Sequence, residues 1–349
     1  MATNQWEKTI LVTGGCGFVG SHMVIHLVKN YPKFFILNLD KMDYCASTKL
    51  LTSIENEKNY EFVKGDILDT SLVNFLLKKY RITAIIHFAA QTHVDNSFGN
   101  SLMFTTNNVL GVHTLLECSK QYGKLERFVH VSTDEVYGQS AYSGQGAIES
   151  QTMLQPTNPY AASKAGAEHI VMSYYKSWKF PIIITRSNNI YGPHQYPEKV
   201  IPKWICRLDR GLKCPIHGDG SHARAFMYVD DVVAAYDLVL QKGTIGEIYN
   251  FQSAVEITNL ELSSRVAKAC GKEKPEEWRE FVADRAFNDQ RYHVDGSKLF
   301  ELGWKENVSF EEGLKRTVEW YRKNDIESIW GDKTAQMALE AHPSIKSFL

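Results

Sequence analysis

The sequence predicts a doubly wound α/β fold, a parallel sheet covered by helices, joined to a smaller, interleaved C-terminal part. Three observations predict it. Short apolar runs rich in β-branched and aromatic residues recur at 8–13, 34–40, 60–66, 82–88, 127–132 and 181–186. Helix-length segments separate most of these runs, as in alternating β and α elements. After about residue 190 the pattern turns irregular, beginning with YGPHQYPEK.

Each run is nearly continuous in apolar character, which suits strands buried on both faces of a parallel sheet. Beyond residue 190, helices are expected near 199–211, 230–242, 258–270 and 311–323, and a surface loop at 141–150. The expected division is therefore 1–190 and 191–349, the second part interleaved with the first. The 349 residues suffice for one large or two modest domains at about 100–200 residues each.

Bulk properties narrow the class. Apolar residues make up 44% and charged residues 23%, which allows a sizeable core, and the net charge of −1 gives no global field toward nucleic acid or an anionic membrane. Six scattered cysteines show neither a C-x-x-C pair nor zinc-like spacing, so a reducing compartment and no metal are expected. The N-terminus runs from a short polar tail straight into a strand, without an apolar signal core. No stretch approaches the ~20 apolar residues of a membrane helix. A soluble, cytoplasmic protein is the expectation.

Residues 13–20 read TGGCGFVG, with Gly14, Gly17 and Gly20 between a strand and a helix. A sharp turn, close approach to a pyrophosphate and tight helix–sheet packing each call for glycine. The helix that opens through Phe18 and Val19 offers free N–H groups and a positive dipole to phosphates. Asp40 closes the second strand, twenty residues after Gly20, placed to accept bonds from ribose hydroxyls and to repel a 2′-phosphate. NAD is thereby favoured over NADP in a Rossmann-type site. Asp66-Ile67 and Phe88-Ala89-Ala90 end the next two strands at the same edge and suit the wall of the adenine and nicotinamide pocket.

Tyr160 and Lys164 lie four residues apart at the start of a helical segment, on one face, after Pro159. A phenol of pKa ~10 is a poor base at neutrality. The Lys164 ammonium and a nicotinamide cation are expected to lower that value and let Tyr160 take a hydroxyl proton. The run VSTDEVYG ends a strand in Ser132-Thr133 and follows it with Asp134 and Glu135. Two adjacent carboxyl groups can serve as acid and base if their surroundings separate their pKa values.

TGGxGFxG, Asp40 and the Tyr160/Lys164 pair together resemble the extended short-chain dehydrogenase/reductase family. Over roughly 8–325 the chain is similar to its nucleoside-diphosphoglucose 4,6-dehydratases, through FAAQTHVDNSF (88–98), TNPYAASKAGAE (157–168), RSNNIYGPHQYPEK (186–199), PIHGDGSHARAFMYVDD (215–231) and DRAFNDQRY (284–292). That resemblance implies Thr133, Tyr160 and Lys164 at the sugar's C4 hydroxyl, Asp134 as acid toward the C6 hydroxyl and Glu135 as base at C5. The hydride leaves C4 for NAD⁺ and returns to C6.

The same resemblance implies Arg224 and Arg291 on the pyrophosphate, Asn189 and Lys199 near sugar and phosphates, and Pro215 and His217 around the base. Asn259 joins this substrate set. His93 either meets the glucose hydroxyls or orients a neighbour. Bacterial dTDP-glucose enzymes typically carry Gly-His-Asp where this chain has Phe287-Asn288-Asp289, and Tyr in place of His217. HVDNSFGNS, AFNDQRY and the C-terminal WGDKTAQMALEAHP are more similar to the dehydratase half of plant rhamnose synthases. UDP-glucose is thus favoured, dTDP-glucose next, for rhamnose-type deoxysugar synthesis. Helices near 100–122 and 160–178 are apolar enough for a homodimer. A 4-epimerase or UDP-glucuronate decarboxylase on the same fold is opposed by the Asp134-Glu135 pair, and a non-catalytic NAD-binding sensor or scaffold by the presence of every reactive residue.

Overall fold

The computed structural model describes residues 6–140, 146–284 and 288–340. Part of the loop expected at 141–150, Phe287 and the end of the C-terminal motif (341–343) lie outside the described residues.

In chain order the strands are β1 (Lys8–Thr13), β2 (Phe34–Asp40), β3 (Tyr60–Lys64), β4 (Ala84–His87), β5 (Arg127–Thr133), β6 (Ile182–Ser187), β7 (Asn189–Tyr191), β8 (Cys214–His217), β9 (Ala223–Tyr228), β10 (Ile248–Phe251), β11 (Glu256–Thr258) and β12 (Arg279–Val282). Seven form one sheet in the order β10-β6-β5-β4-β1-β2-β3. All six pairings are parallel. The order runs outward from β1 in both directions, so a crevice opens beyond the carboxyl ends of β1 and β4.

Alternation along the strands separates two cores. Ile10 and Val12 of β1 face one cluster with Met23 and Val24 of the helix Phe18–Asn30 and Val232 and Val239 of the helix Val229–Lys242. Leu11 faces the other, with Leu76, Leu115 and Val171 from the helices Thr70–Lys79, Gly111–Tyr122 and Pro159–Trp178. The first cluster continues into the C-terminal part through Trp204, Phe226, Leu262 and Leu314. Burial of each such side chain is worth about 1.5–3 kcal/mol, so these shared residues hold the two parts together.

Helix boundaries follow their caps. The Asn158 side chain accepts from Ala161 N–H with Pro159 in the first turn, Thr258 caps Asn259–Ala269, and Ser309 caps Phe310–Lys323. β10 comes from beyond residue 190 yet forms an edge of the main sheet, and a three-stranded sheet (β11-β9-β7) and a β12-β8 pair complete the C-terminal part. Among the described residues, no helix is long and apolar enough to cross a membrane.

Candidate active site

A cavity of about 450 Å³ runs along the carboxyl ends of the central strands. At one end lies the glycine turn. Gly14 has φ +73°, and a Cβ there would sit 2.6 Å from Ala89 N; a Cβ on Gly20 would sit 2.2 Å from the Gly14 carbonyl oxygen. Any side chain would prise the turn from the end of β4 or the helix from the turn. The helix starting at Phe18 has no side-chain cap, leaving its N-terminal turn open to an anion.

Asp40 closes β2 beside this turn. Its carboxylate accepts from Cys16 N–H at 3.0 Å and Met42 N–H at 2.8 Å, and it lines the cavity. Burial raises its pKa, and the two backbone donors oppose the rise. The glycine cradle, the bare helix end and this carboxylate fit a dinucleotide with a free ribose diol. Asp66, Ile67, Phe88, Ala89, Ala90, Gly17, Phe18 and Val19 line the same cavity.

The expected catalytic set lies where β5 ends. Thr133, Glu135 and Tyr160 line the cavity, together with His93, Asn189, Lys199, Pro215, His217, Arg224 and Asn259. Three expected residues do not line it. Lys164 is buried behind Tyr160, its Nζ donating to Val131 O at 2.6 Å. Asp134 is 3% exposed, with Oδ2 accepting from Asn188 Nδ2 at 2.7 Å and Oδ1 from the Thr133 hydroxyl at 3.2 Å. Arg291 makes a two-pronged ion pair with Glu256, at 2.6 and 2.7 Å.

Burial governs the titration of this cluster. Asp134 is pushed up to about 7, first by burial and then by the charge of Glu135, against Asn188, Arg224 and Thr133. Burial pulls the Lys164 ammonium down to about 8, and Glu168 one turn later partly restores it. Tyr160 departs from expectation. Its phenol is raised rather than lowered, by burial and by Glu135, with only the Thr133 hydroxyl opposing. The Lys164 ammonium is spent on a backbone carbonyl, so in the protein alone desolvation prevails.

Arg224 donates to the backbone oxygens of Ala223 and Gln290 and to Asn288 Oδ1, and its guanidinium lies 4.7 Å from the Tyr292 ring centre. Lys199 donates to Thr92 O at 2.9 Å. His93 sits between Asp95 at 4.0 Å and Glu198 at 3.9 Å.

Five residues around this cluster were not anticipated from the sequence: Asn158, Asn188, Thr157, Asp289 and Tyr292. Asn158 caps the helix Pro159–Trp178 and donates to Glu135 Oε2 at 3.0 Å. Asn188 holds Asp134. Tyr292 donates to Asp289 at 2.5 Å and lies 3.5 Å from Glu135 Oε2, while Thr157 also donates to Asp289. Asn158-Pro159 carries a visible cap signal; the others become neighbours only through tertiary packing.

Known proteins are similar to this chain over most of its length. The trifunctional UDP-glucose 4,6-dehydratase/UDP-4-keto-6-deoxy-D-glucose 3,5-epimerase/UDP-4-keto-L-rhamnose-reductase of Arabidopsis thaliana is 49% identical over 341 residues, covering 98% of this chain and 50% of the plant protein. The chain thus spans about half the length of that relative. The dTDP-D-glucose 4,6-dehydratase of Mus musculus is 47% identical over 349 residues, covering 99% of this chain and 96% of its own. The crystal structure of Streptomyces venezuelae dTDP-glucose 4,6-dehydratase, with NAD bound, superposes with a TM-score of 0.87 at 40% identity, over 93% of this chain and 99% of that one. With residues 11–317 matching as well, the chain belongs to the GDP-mannose 4,6 dehydratase family.

Proposed function

We propose that this chain is an NAD-dependent nucleotide-sugar 4,6-dehydratase, acting on a nucleoside-diphosphate glucose, with UDP-glucose favoured and dTDP-glucose next. The observation that carries the reading is that Thr133 and Glu135 line, beside Tyr160, a cavity whose far end is the glycine cradle, with Asp134 buried between them at the same strand end. NAD⁺, when bound, supplies the hydride acceptor for sugar C4 and the hydride donor for C6, so no external oxidant is consumed. The similar plant protein is named for UDP-4-keto-6-deoxy-D-glucose 3,5-epimerase and UDP-4-keto-L-rhamnose-reductase activities beside its dehydratase, which supports a place in rhamnose-type deoxysugar synthesis.

Tyr160 takes the C4 hydroxyl proton, with the Thr133 hydroxyl beside it. Because burial raises the phenol, positive charge must gather around it before it can act as a base. Glu135, oriented by Asn158, removes the proton at C5, which a C4 ketone makes acidic. Asp134 protonates the leaving C6 hydroxyl; with a pKa of about 7 it is roughly half protonated at neutrality. Its carboxyl lies just beneath the cavity wall, so it must exchange its bond from Asn188 or Thr133 for the sugar hydroxyl.

In this reading residues 1–190 carry cofactor and catalytic groups, and residues 191–349 mainly hold the sugar nucleotide, with β10 returning to the main sheet. Arg224 is the pyrophosphate residue, and Arg291 reaches the ligand only by leaving Glu256. A cytoplasmic homodimer completes the proposal; the exposed Phe98, Leu102 and Leu110 near the expected helical interface support it. Mass spectrometry of the protein with UDP-glucose and dTDP-glucose in parallel tests the function. A product lighter by one water identifies reaction and nucleotide together, and unchanged mass with both would overturn the reading.

A further inference from the structure

The segment past residue 325 crosses both walls of the cavity, and we infer that Trp330 is a positioning residue that ties them together around the dinucleotide. The inference rests on the reading of the cavity as an NAD site. On one wall, Asp43, Cys45 and Ala46 follow β2 and Asp40; on the other, Tyr196, Glu198 and Lys199 precede the helix Val200–Asp209.

Trp330 touches both without lining the cavity itself. Its indole N–H donates to Cys45 O at 3.2 Å, and its ring meets Tyr196 edge-on at 5.5 Å. Tyr196 in turn meets Tyr44 edge-on at 5.3 Å, and the Tyr44 hydroxyl donates to Glu198 at 3.0 Å. The two walls thus share one chain of edge-on aromatic contacts, closed by a tryptophan that is 8% exposed.

The chain around Trp330 is fastened at both ends of this span. Ser47 Oγ donates to Ile329 O at 2.8 Å and Lys49 Nζ to Ser328 O at 2.6 Å, on the cofactor side. Lys203 Nζ donates to Glu340 O at 2.9 Å and Arg207 to Leu339 O at 2.7 Å, on the helix Val200–Asp209. Backbone carbonyls of the segment accept every one of these bonds, so it is clamped by its path as well as by its side chains. A loop after β2 has few regular bonds of its own; fixing it lowers the entropy lost when a ligand orders it, and slows release.

The test measures release of fluorescent NADH from the full chain by displacement with excess NAD⁺. Trp330→Ala is expected to release it about tenfold faster, the factor for one buried hydrogen bond with its aromatic contact. Trp330→Phe, keeping the ring, should fall between, and Lys49→Ala, which removes a surface tie, should move in the same direction by a smaller factor. KM for the sugar nucleotide should rise more than kcat falls. Leu76→Ala, in the core of the opposite sheet face, controls for general destabilisation. Wild-type release from a folded Trp330→Ala would overturn the inference, as would equal acceleration in Leu76→Ala at matched loss of Tm. If Trp330→Ala does not fold, unchanged release from both Trp330→Phe and Lys49→Ala overturns it. A wild-type chain that retains no dinucleotide would instead bring down the NAD reading, and this inference with it.

Discussion

Asn158 serves Glu135 and the helix Pro159–Trp178 at once: its Nδ2 donates to Glu135 Oε2 at 3.0 Å while its Oδ1 accepts from Ala161 N–H at 2.8 Å. One amide therefore fixes both the carboxylate and the start of the helix that carries Tyr160 and Lys164. Asn158→Asp keeps the cap acceptor but sets a second negative charge against Glu135. Thermal stability should stay near wild type, whereas kcat should fall about tenfold or more. Asn158→Ala should lose both, with a stability cost of about 1 kcal/mol. Equal kcat losses in the two variants, scaling with Tm alone, would reduce Asn158 to a cap.

Oxidation and elimination can be separated by their effect on the cofactor's absorbance. Tyr160→Phe removes the hydroxyl base, so no reduced cofactor should appear when substrate is added. Glu135→Gln leaves Tyr160, Thr133 and Lys164 in place, so reduced cofactor should accumulate while product formation drops about 10²–10⁴-fold. Normal dehydration by Glu135→Gln would end its assignment as the C5 base.

Glu168 links the helix Pro159–Trp178 to the sheet. It receives Arg186 Nε at 3.1 Å and Nη2 at 2.6 Å, both partners being buried, and Arg186 also donates to the Tyr137 hydroxyl. Breaking such a pair leaves an unpaired buried charge, at a cost of about 3–5 kcal/mol. Glu168→Gln should lower stability by that order in denaturant unfolding. Glu168 also holds the Lys164 value of about 8 up against burial. Its loss should let Lys164 give up its proton earlier, moving the alkaline fall of kcat to lower pH. A destabilised variant with an unmoved profile would show that Lys164 charge does not limit turnover.

Much of this arrangement is visible in the sequence because it depends on local chemistry. β1 and β2 lie where the apolar runs place them, and the four helices expected beyond residue 190 start within two residues of expectation, two of them marked by the caps Thr258 and Ser309. β10 escapes because Ile248–Phe251 is four residues long and has no usable periodicity. The glycine cradle is legible since each glycine meets a fixed steric need. The directions of Lys164, Asp134 and Arg291 are not, because Val131, Asn188 and Glu256 reach them only through the fold. The rise of the Tyr160 phenol likewise depends on how deeply the helix is buried, which spacing does not encode.

Asp134 gives the sharpest pH prediction, because the same shift acts on activity and stability in opposite senses. Its folded pKa of about 7 lies above the ordinary carboxyl value of 3.8. Between those values the folded chain binds more protons than the unfolded one, so this group makes stability fall as pH rises. The full cost is present above about pH 7 and vanishes below about pH 4. Asp134→Asn abolishes the buried charge, and Asn188 can still donate to the new amide oxygen. The variant should therefore be more stable than wild type at pH 8, by on the order of 2–4 kcal/mol, with the gain shrinking to nothing in acid. Turnover should move the other way. Wild-type elimination should decline as pH rises through about 7, since only the protonated carboxyl can serve a leaving hydroxyl. Asp134→Asn should slow elimination while leaving C4 oxidation and solvent exchange at C5 comparatively intact. A 6-fluoro substrate, whose leaving group needs less protonation, should recover much of the lost rate. An Asp134→Asn protein equally slow with the fluoro substrate would remove the acid role and leave Asp134 as a residue that positions Thr133 and Asn188.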